Sequence, residues 1–361
     1  MIPKGGKAAR KEGNTRMKNK NGIAMIYALA AALFYAVNVP CSKLLLENVA
    51  PTFMAAFLYL GAGVGVGIMY LFHRPKESFE KRLTRKDMPF TVGMVVLDIL
   101  APILLMVGVS IGTSSNASLL GNFEIVATTV IALCIFKEKV SGKLWTAIGL
   151  ITLSSIILSF GGSGSFTFSV GSLFVLGATV CWGFENNCTR SISEKSTYQI
   201  VMIKGIFSGT GSLIVALVLG EKFPEVQYIP PVLLLGFVAY GLSIFTYIRA
   251  QKSLGAAKTS AFYAVAPFIG ALLSFVLLKE TLTASYITAL LIMIIGTAFA
   301  AFDTLSRRHT HAHTHTFTHT HGGSTHTHSI THSHEHDHWI GGEKHFHKHR
   351  RTELEKLVSD H

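Results

Sequence analysis

The sequence predicts an all-α polytopic membrane protein: ten transmembrane helices arranged as two inverted five-helix repeats, followed by a disordered, histidine-rich cytoplasmic tail. Three observations lead there. Hydrophobic residues make up 49% of the 361 and charged residues only 14%, a balance well outside that of soluble domains. The apolar residues gather into ten runs long enough for a bilayer core, which takes about 20 residues per helix. The last five runs also repeat the first five in sequence, while the basic loops change sides.

Taken in order, the chain opens on a basic leader, 1–21, with Lys4, Lys7, Arg10, Lys11, Arg16, Lys18 and Lys20. The apolar run behind it is too long for a signal-peptide core and has no small-residue cleavage site, so it is expected to stay as a span. The ten runs lie at 22–43, 50–72, 88–109, 113–136, 143–160, 169–190, 198–219, 231–250, 258–278 and 283–303. Their connections are short and punctuated by Gly, Pro and Ser, as in "GGSGS" from Gly161 and "IPP" from Ile229; they leave no room for a second folded domain. The divisions are therefore the leader, a first repeat at 22–160, a second at 169–303 and the tail at 304–361.

The repeat is visible residue by residue. "ALFYAVNVPCSK", ending at Lys43, lies over "TVCWGFENNCTR", ending at Arg190, which matches Tyr35 to Trp182, Asn38 to Glu185 and Cys41 to Cys188. "FKEKVSGKLWTAIG" from Phe136 lies over "LKETLTASYITALL" from Leu278, and that register runs back to place Asp98 over Tyr240. An odd number of spans per copy forces the copies to enter the membrane in opposite orientations. Charge tests this separately, because cytoplasmic loops are rich in Lys and Arg. With the leader inside, inner loops carry Arg74, Lys76, Lys81, Arg82, Arg85 and Lys86, then Lys137, Lys139 and Lys143, then Arg190 and Lys195, then Arg249, Lys252 and Lys258. Outer loops hold only Lys43, Lys222 and Lys279, each offset by a nearby Glu. The net charge of +12 thus reads as membrane orientation, with both termini cytoplasmic, and not as nucleic-acid binding. Inverted repeats are an architecture of secondary transporters; a duplicated scaffold without transport is the other reading.

The pattern "APFIGALLSFVLLKETLTASYITALLIMIIG" (Ala266 to Gly296) has a Pro early in the ninth run and a Glu before the tenth. It resembles the drug/metabolite transporter superfamily, and within it the EamA-like family. "FEIVATTVIALCIFKEKVSGKLWTAIGL" repeats the pattern in the first half, with Ile125 where the second has Pro267. The resemblance covers about residues 22 to 303. It implies ten helices, a central cavity lined by spans one to four and six to nine, and a small-solute cargo. It says nothing of the tail. The missing proline at Ile125 suggests a fourth span less kinked than the ninth.

Ionisable groups inside a bilayer cost at least about 2.5 kcal/mol each and usually face a cavity or a partner. Asp98 and Glu124 fall near the middle of the third and fourth runs; at one depth they are placed to share a proton or to hold a cationic cargo, with hydrogen bonding to their neighbours as the structural alternative. Glu185 and Lys204 are candidates for a buried ion pair, although Lys204 has the length to snorkel to the inner surface. Asn38, Asn122, Asn186 and Asn187 supply amides for a polar solute or for contacts between helices. Tyr240 and Tyr263, with Tyr35 and Trp182, supply aromatic walls or plain packing. Gly61, Gly63, Gly65 and Gly67 form a face on the second span that permits close helix approach. The four cysteines, Cys41, Cys134, Cys181 and Cys188, lie in apolar runs without a CxxC pair and read as buried structural thiols. No nucleophile–base constellation and no H-E-x-x-H motif is present, so an enzyme is not expected and no cofactor is required.

All but one of the 17 histidines follow Arg308. The stretch "RRHTHAHTHTFTHTH" contributes His309, His311, His313, His315, His319 and His321; "HTHSITHSHEHDH" adds His326, His328, His332, His334, His336 and His338; "HFHKH" adds His345, His347 and His349. Imidazole suits Zn, Ni, Co and Cu, and many equivalent sites favour fluxional binding in a segment with few apolar residues. The spans contain no histidine, and Asp98, Glu124, Glu185 and amides ligate such ions poorly. The expectation is a multi-pass carrier in the inner or plasma membrane, a monomer or homodimer, moving a small molecule by alternating access beside a metal-binding tail. A transition-metal transporter and a metal sensor without transport are the alternatives.

Overall fold

A computed structural model describes residues 22–73, 81–136, 141–160, 169–254, 259, 262–321 and 324–339. The leader, the basic residues at 74–80 and 137–140, "GGSGS", and His345, His347 and His349 lie outside the described residues. The chain forms two compact units, Met1–Ala301 and Phe302–His361.

The first unit is helical. Its order is α1 (22–36), α2 (Asn38–Leu45), α3 (Pro51–His73), α4 (Met88–Ile111), α5 (Ser114–Leu120), α6 (Phe123–Phe136), α7 (Gly142–Phe160), α8 (Val170–Ser191) and α9 (Thr197–Val218). Then follow α10 (Ile229–Gly236), α11 (Ser243–Leu254), α12 (Ala266–Leu278) and α13 (Ala284–Leu305). Seven helices among the described residues are long and apolar enough to cross a bilayer: Gly22–Leu45, Pro51–His73, Arg85–Ile111, Gly142–Phe160, Thr197–Val218, Val226–Ala250 and Ala284–Asp303. Three of the ten expected spans fall short of that standard, each for a physical reason. The fourth is split into α5 and α6. The sixth is the continuous α8, but its second half carries Glu185, Asn186, Asn187, Thr189 and Arg190. The ninth is shortened to the 13 residues of α12.

The fourth span, expected to be less kinked than the ninth, is itself split, and the ninth is interrupted too. At Gly121–Asn122 the ladder shifts to tighter i→i−3 bonds: Asn122 N–H donates to the Leu119 carbonyl (3.2 Å), and Ile125 N–H to that of Asn122 (3.1 Å). Gly and Asn are poor helix formers, so the break needs no proline. The chain also turns at 264–265 ahead of α12, at Val37 between α1 and α2, and through a π-helical segment, Phe237–Leu242, between α10 and α11.

The core runs along α3, where Phe53, Met54 and Leu58 are fully buried. Glycines let backbones meet there, as expected for its small-residue face. A Cβ on Gly236 of α10 would strike the Leu58 carbonyl oxygen, and one on Gly63 would come within 2.5 Å of Ile206 N in α9. Large apolar side chains such as Leu71, Phe72 and Val218 point outward, as suits a lipid solvent. The cysteines are free as expected, but not fully buried: Cys41, Cys181 and Cys188 are half-buried and Cys134 is exposed.

One end of the helix set is tied by charged caps. The Lys43 ammonium donates to the carbonyls of Val109 (2.7 Å), Ser110 (3.0 Å) and Gly112 (2.8 Å) at the end of α4. The Glu280 carboxylate accepts from the N–H groups of Ser114 (2.7 Å) and Ser115 (2.9 Å), where α5 begins. Glu221 accepts from Thr52 Oγ1 (2.7 Å) and from the N–H groups of Thr52 and Phe53 (3.2 Å each), where α3 begins. Each charge has the sign that satisfies both the orphan backbone groups and the helix dipole.

The second unit corrects the expectation of a disordered tail. Ser306–His321 (β1) and Ser324–Trp339 (β2) pair as an antiparallel two-stranded sheet, with Ser306 opposite Trp339 and His321 opposite Ser324. The alternation of Thr with His has the strand period, and Thr favours extended backbone.

Candidate functional site

The ionisable residues expected within the spans do come together. Lys204 of α9 places its ammonium 3.0 Å from Asp98 Oδ2 of α4 and 2.9 Å from Glu185 Oε1 of α8. Asp98 is fully buried, Glu185 is 2% exposed and Lys204 9%. Lys204 therefore does not snorkel: two carboxylates hold it inside. Tyr59 of α3 donates its hydroxyl to Asp98 Oδ1 at 3.0 Å, and Thr189 donates to Glu185 from the next turn of α8.

Asp98 and Glu124 share no contact, so the shared proton expected from their depth has no geometry here. Glu124 stands in the first turn of α6, just past the break, and accepts from Asn186 Nδ2 at 2.6 Å. Among the described residues no cation stands within ion-pair distance of it, although Lys204 and Glu185 lie within electrostatic range. Asn122, at the break itself, is 2% exposed, and its amide Nδ2 has no hydrogen-bond partner among the described residues.

Asn38, fully buried at the start of α2, donates to the Tyr240 hydroxyl at 2.9 Å. Tyr240 lies in the π-helical segment, and Tyr263 just before α12. Their rings belong to a row: Tyr59 to Tyr240 at 5.0 Å between centroids, Tyr240 to Tyr35 at 5.9 Å, Tyr35 to Tyr263 at 5.8 Å, and Tyr263 to Tyr247 at 5.1 Å. Asn187 turns back to the Gly183 carbonyl of its own helix (2.8 Å) and leaves the site. Tyr59 was not among the sequence candidates. It sits 39 residues from Asp98 in an apolar run where it reads as packing.

The site is closed. A groove of about 420 Å³ opens elsewhere, between α3 and α10, lined by Gly61, Val64, Gly65, Ile68 and Phe237. Among the residues whose side chains are described, no three His, Cys, Asp or Glu stand close enough to hold a metal ion. What remains is a polar, partly aromatic centre built around a buried triad and flanked by departures from α-helix at Val37, Gly121–Asn122, Phe237–Leu242 and 264–265. Such interruptions free backbone groups at membrane depth and recur at transporter binding sites.

Comparison with known proteins agrees with a transport setting. The sequence profile of the EamA-like transporter family matches residues 22–160 and 169–302. An uncharacterized transporter of Methanothermobacter thermautotrophicus is 25% identical over 275 residues, covering 71% of this chain and 79% of that protein. The uncharacterized transporter YyaM of Bacillus subtilis is 23% identical over 272 residues, covering 72% and 87%. A protein crystal structure superposes with a TM-score of 0.57 at 16% identity, covering 78% of this chain and 96% of the other, a likeness of fold.

Proposed function

Because the chain belongs to the EamA-like transporter family, we propose that it is a secondary-active carrier that moves a small solute across the inner or plasma membrane by alternating access. Asp98, Glu185, Lys204 and Glu124 form its cargo-binding and coupling centre. The observation that carries this reading is the buried triad of Asp98, Lys204 and Glu185 beside Glu124, a carboxylate with no cation at ion-pair distance among the described residues. A scaffold gains little from charges whose desolvation offsets their attraction, whereas a carrier needs groups that exchange partners as access changes.

Ten spans in two inverted repeats, with both termini cytoplasmic, complete the proposal. Two things support it: the loop charges, and a correspondence between contacts. In the sequence register Asn38 matches Glu185 and Tyr240 matches Asp98. Asn38 bonds Tyr240, and Glu185 is linked to Asp98 through Lys204.

The tail adds a second reading, that of a cytoplasmic metal-binding element. Its strand register supports this, setting His309 opposite His336, His311 opposite His334, His313 opposite His332, and His319 opposite His326. Zn, Ni, Co or Cu are the ions such residues take.

The experiment is solute flux into proteoliposomes under an imposed pH gradient, with the full chain, the Glu124→Gln variant and a chain cut after Arg308. Flux that the full and cut chains share and that Glu124→Gln abolishes at equal protein level is the expected result. Flux unchanged in Glu124→Gln removes that carboxylate from the mechanism. Cellular Zn, Ni, Co and Cu content, measured in parallel, separates the tail's role: a shift that needs the tail marks storage or sensing, and one that survives its loss marks metal transport.

A further inference from the structure

Successive residues of a strand lie on opposite faces, so the pairing register of β1 with β2 decides which residues share a face. Each odd-numbered position of β1 stands opposite an even-numbered position of β2. Every histidine of β1 is at an odd position and every histidine of β2 at an even one. One face of the hairpin therefore holds all the histidines of both strands. The other holds all their threonines and both acids, with Glu335 opposite Thr310 and Asp337 opposite Arg308. A slip of one residue in either strand would divide the histidines between the faces. In sequence only Gly322 and Gly323 part the strands, a dipeptide that suits a two-residue hairpin loop and so agrees with this register.

The histidine face is also grouped along its length. Three consecutive rows set histidine opposite histidine: His309 with His336, His311 with His334, and His313 with His332. Opposite positions lie about 5 Å apart and neighbouring rows of one face about 7 Å apart, so two rows bring four histidine positions around one small patch. Ile330, opposite His315, and Phe317, opposite His328, then interrupt the two columns. On the far side of Ile330 and Phe317 from these rows stand His319 and His321 in β1 and His326 and His328 in β2.

We infer that this face carries two separate sites for a borderline divalent ion, each ligated by imidazole nitrogen alone and each drawing on both strands. The larger site is the three histidine rows, and the smaller is the group of four beyond Phe317. The inference rests on the metal-binding reading of the tail and is independent of the transport reading. With Glu335 and Asp337 on the opposite face, the donor set suits Zn, Ni, Co or Cu and not Mg, Ca or Mn, which take oxygen ligands. Because the ligands come from both strands, a bound ion ties β1 to β2, and its binding energy is shared with strand pairing. Fluxional chelation by a histidine-rich chain differs in kind: there the number of histidines sets affinity, whereas here the face they share does.

Exchanging residues within a strand tests the face while keeping composition constant. Zn and Co binding is measured on the purified full-length chain in detergent, with the chain cut after Arg308 as background. In the β1 exchange, His309→Thr with Thr310→His, His311→Ala with Ala312→His, and His313→Thr with Thr314→His move three histidines to the other face at unchanged spacing. In the β2 exchange, His332→Thr with Thr331→His, His334→Ser with Ser333→His, and His336→Glu with Glu335→His do the same. Made together, the exchanges rebuild three histidine rows on the opposite face, because 310 pairs with 335, 312 with 333 and 314 with 331. Either exchange alone should weaken the tightest Zn site by about tenfold or more and reduce the visible absorption of four-coordinate Co; the two together should restore both. Mg and Mn should not compete. A single exchange that binds like the original chain overturns the inference and leaves metal binding as fluxional chelation. A double exchange no better than the single ones overturns it as well, since a shared face would then not suffice. Failure of the full chain to bind Zn or Co above the cut chain removes the metal-binding reading together with the inference.

Discussion

Replacing Lys204 by Met keeps most of the side-chain volume and removes the cation from between two buried carboxylates. At about 3 Å and an effective dielectric near 20, each contact supplies about 5 kcal/mol of attraction. Desolvation of the three ions, several kcal/mol apiece, offsets most of that. The substitution does not return those costs, because Asp98 and Glu185 stay buried at 0% and 2% exposure. The expected loss is therefore that of a broken buried pair, about 3 to 5 kcal/mol, read as reversible unfolding in mixed micelles. Asp98→Asn and Glu185→Gln added to Lys204→Met should recover most of it, leaving the triple variant within about 2 kcal/mol of the original chain, since a neutral set of similar volume carries no stranded charge. Low pH should also relieve Lys204→Met, a proton standing in for the lost cation. A loss below about 1 kcal/mol, or a triple variant no more stable than the single one, would refute the claim that this centre is dry and its charges mutually compensating.

Glu280→Gln keeps a single acceptor for the Ser114 and Ser115 N–H groups and removes the charge; a loss of about 1 to 2 kcal/mol is expected in the same unfolding assay, and no loss would show that the cap is solvated. Gly236→Ala should cost more than about 2 kcal/mol or abolish folded yield, since its Cβ meets the Leu58 carbonyl. Gly142→Ala, with open space around the Cβ, should be neutral or stabilise by up to about 1 kcal/mol. The soluble tail peptide 304–361 should bind Zn at several sites in titration calorimetry and lose that binding when its histidines are replaced by Ser; unchanged binding would assign the metal to other groups.

Much of the helical unit was legible because bilayer physics writes long apolar runs into a sequence. The starts of α1, α3, α4 and α9 fall within a residue of the runs they came from. The acids and the lysine were legible for the complementary reason, since charge in an apolar run stands out. Their pairing was not. Depth along a helix comes from counting, but the direction a side chain faces depends on packing, so Asp98 and Glu124 looked like partners when Asp98 belongs with Lys204 and Glu124 with Asn186. Tyr59 was invisible because an aromatic residue in an apolar run carries no local mark of the hydrogen bond it makes. The helix break carries its signal in Gly121 and Asn122, two poor helix formers, and not in a proline. In the tail, the same period-two alternation that lines up imidazoles also suits paired strands, whatever the low apolar content.

The register between the two halves bears on how such a centre works. Position for position, Asn38 stands where Glu185 does and Tyr240 where Asp98 does, so one half holds a neutral amide–phenol contact and the other a charged one. In the inverted-repeat arrangement proposed above, two copies would place equivalent backbone around one centre and leave each side chain free to diverge. A symmetric site of four acids would repel itself, and one of four neutral groups would hold no charge to exchange. Among the described residues, Glu124 is the acid of this centre with no cation at ion-pair distance, which is why substitution there tests the mechanism more directly than substitution at Asp98 or Glu185, where loss of function and loss of the Lys204 contacts coincide.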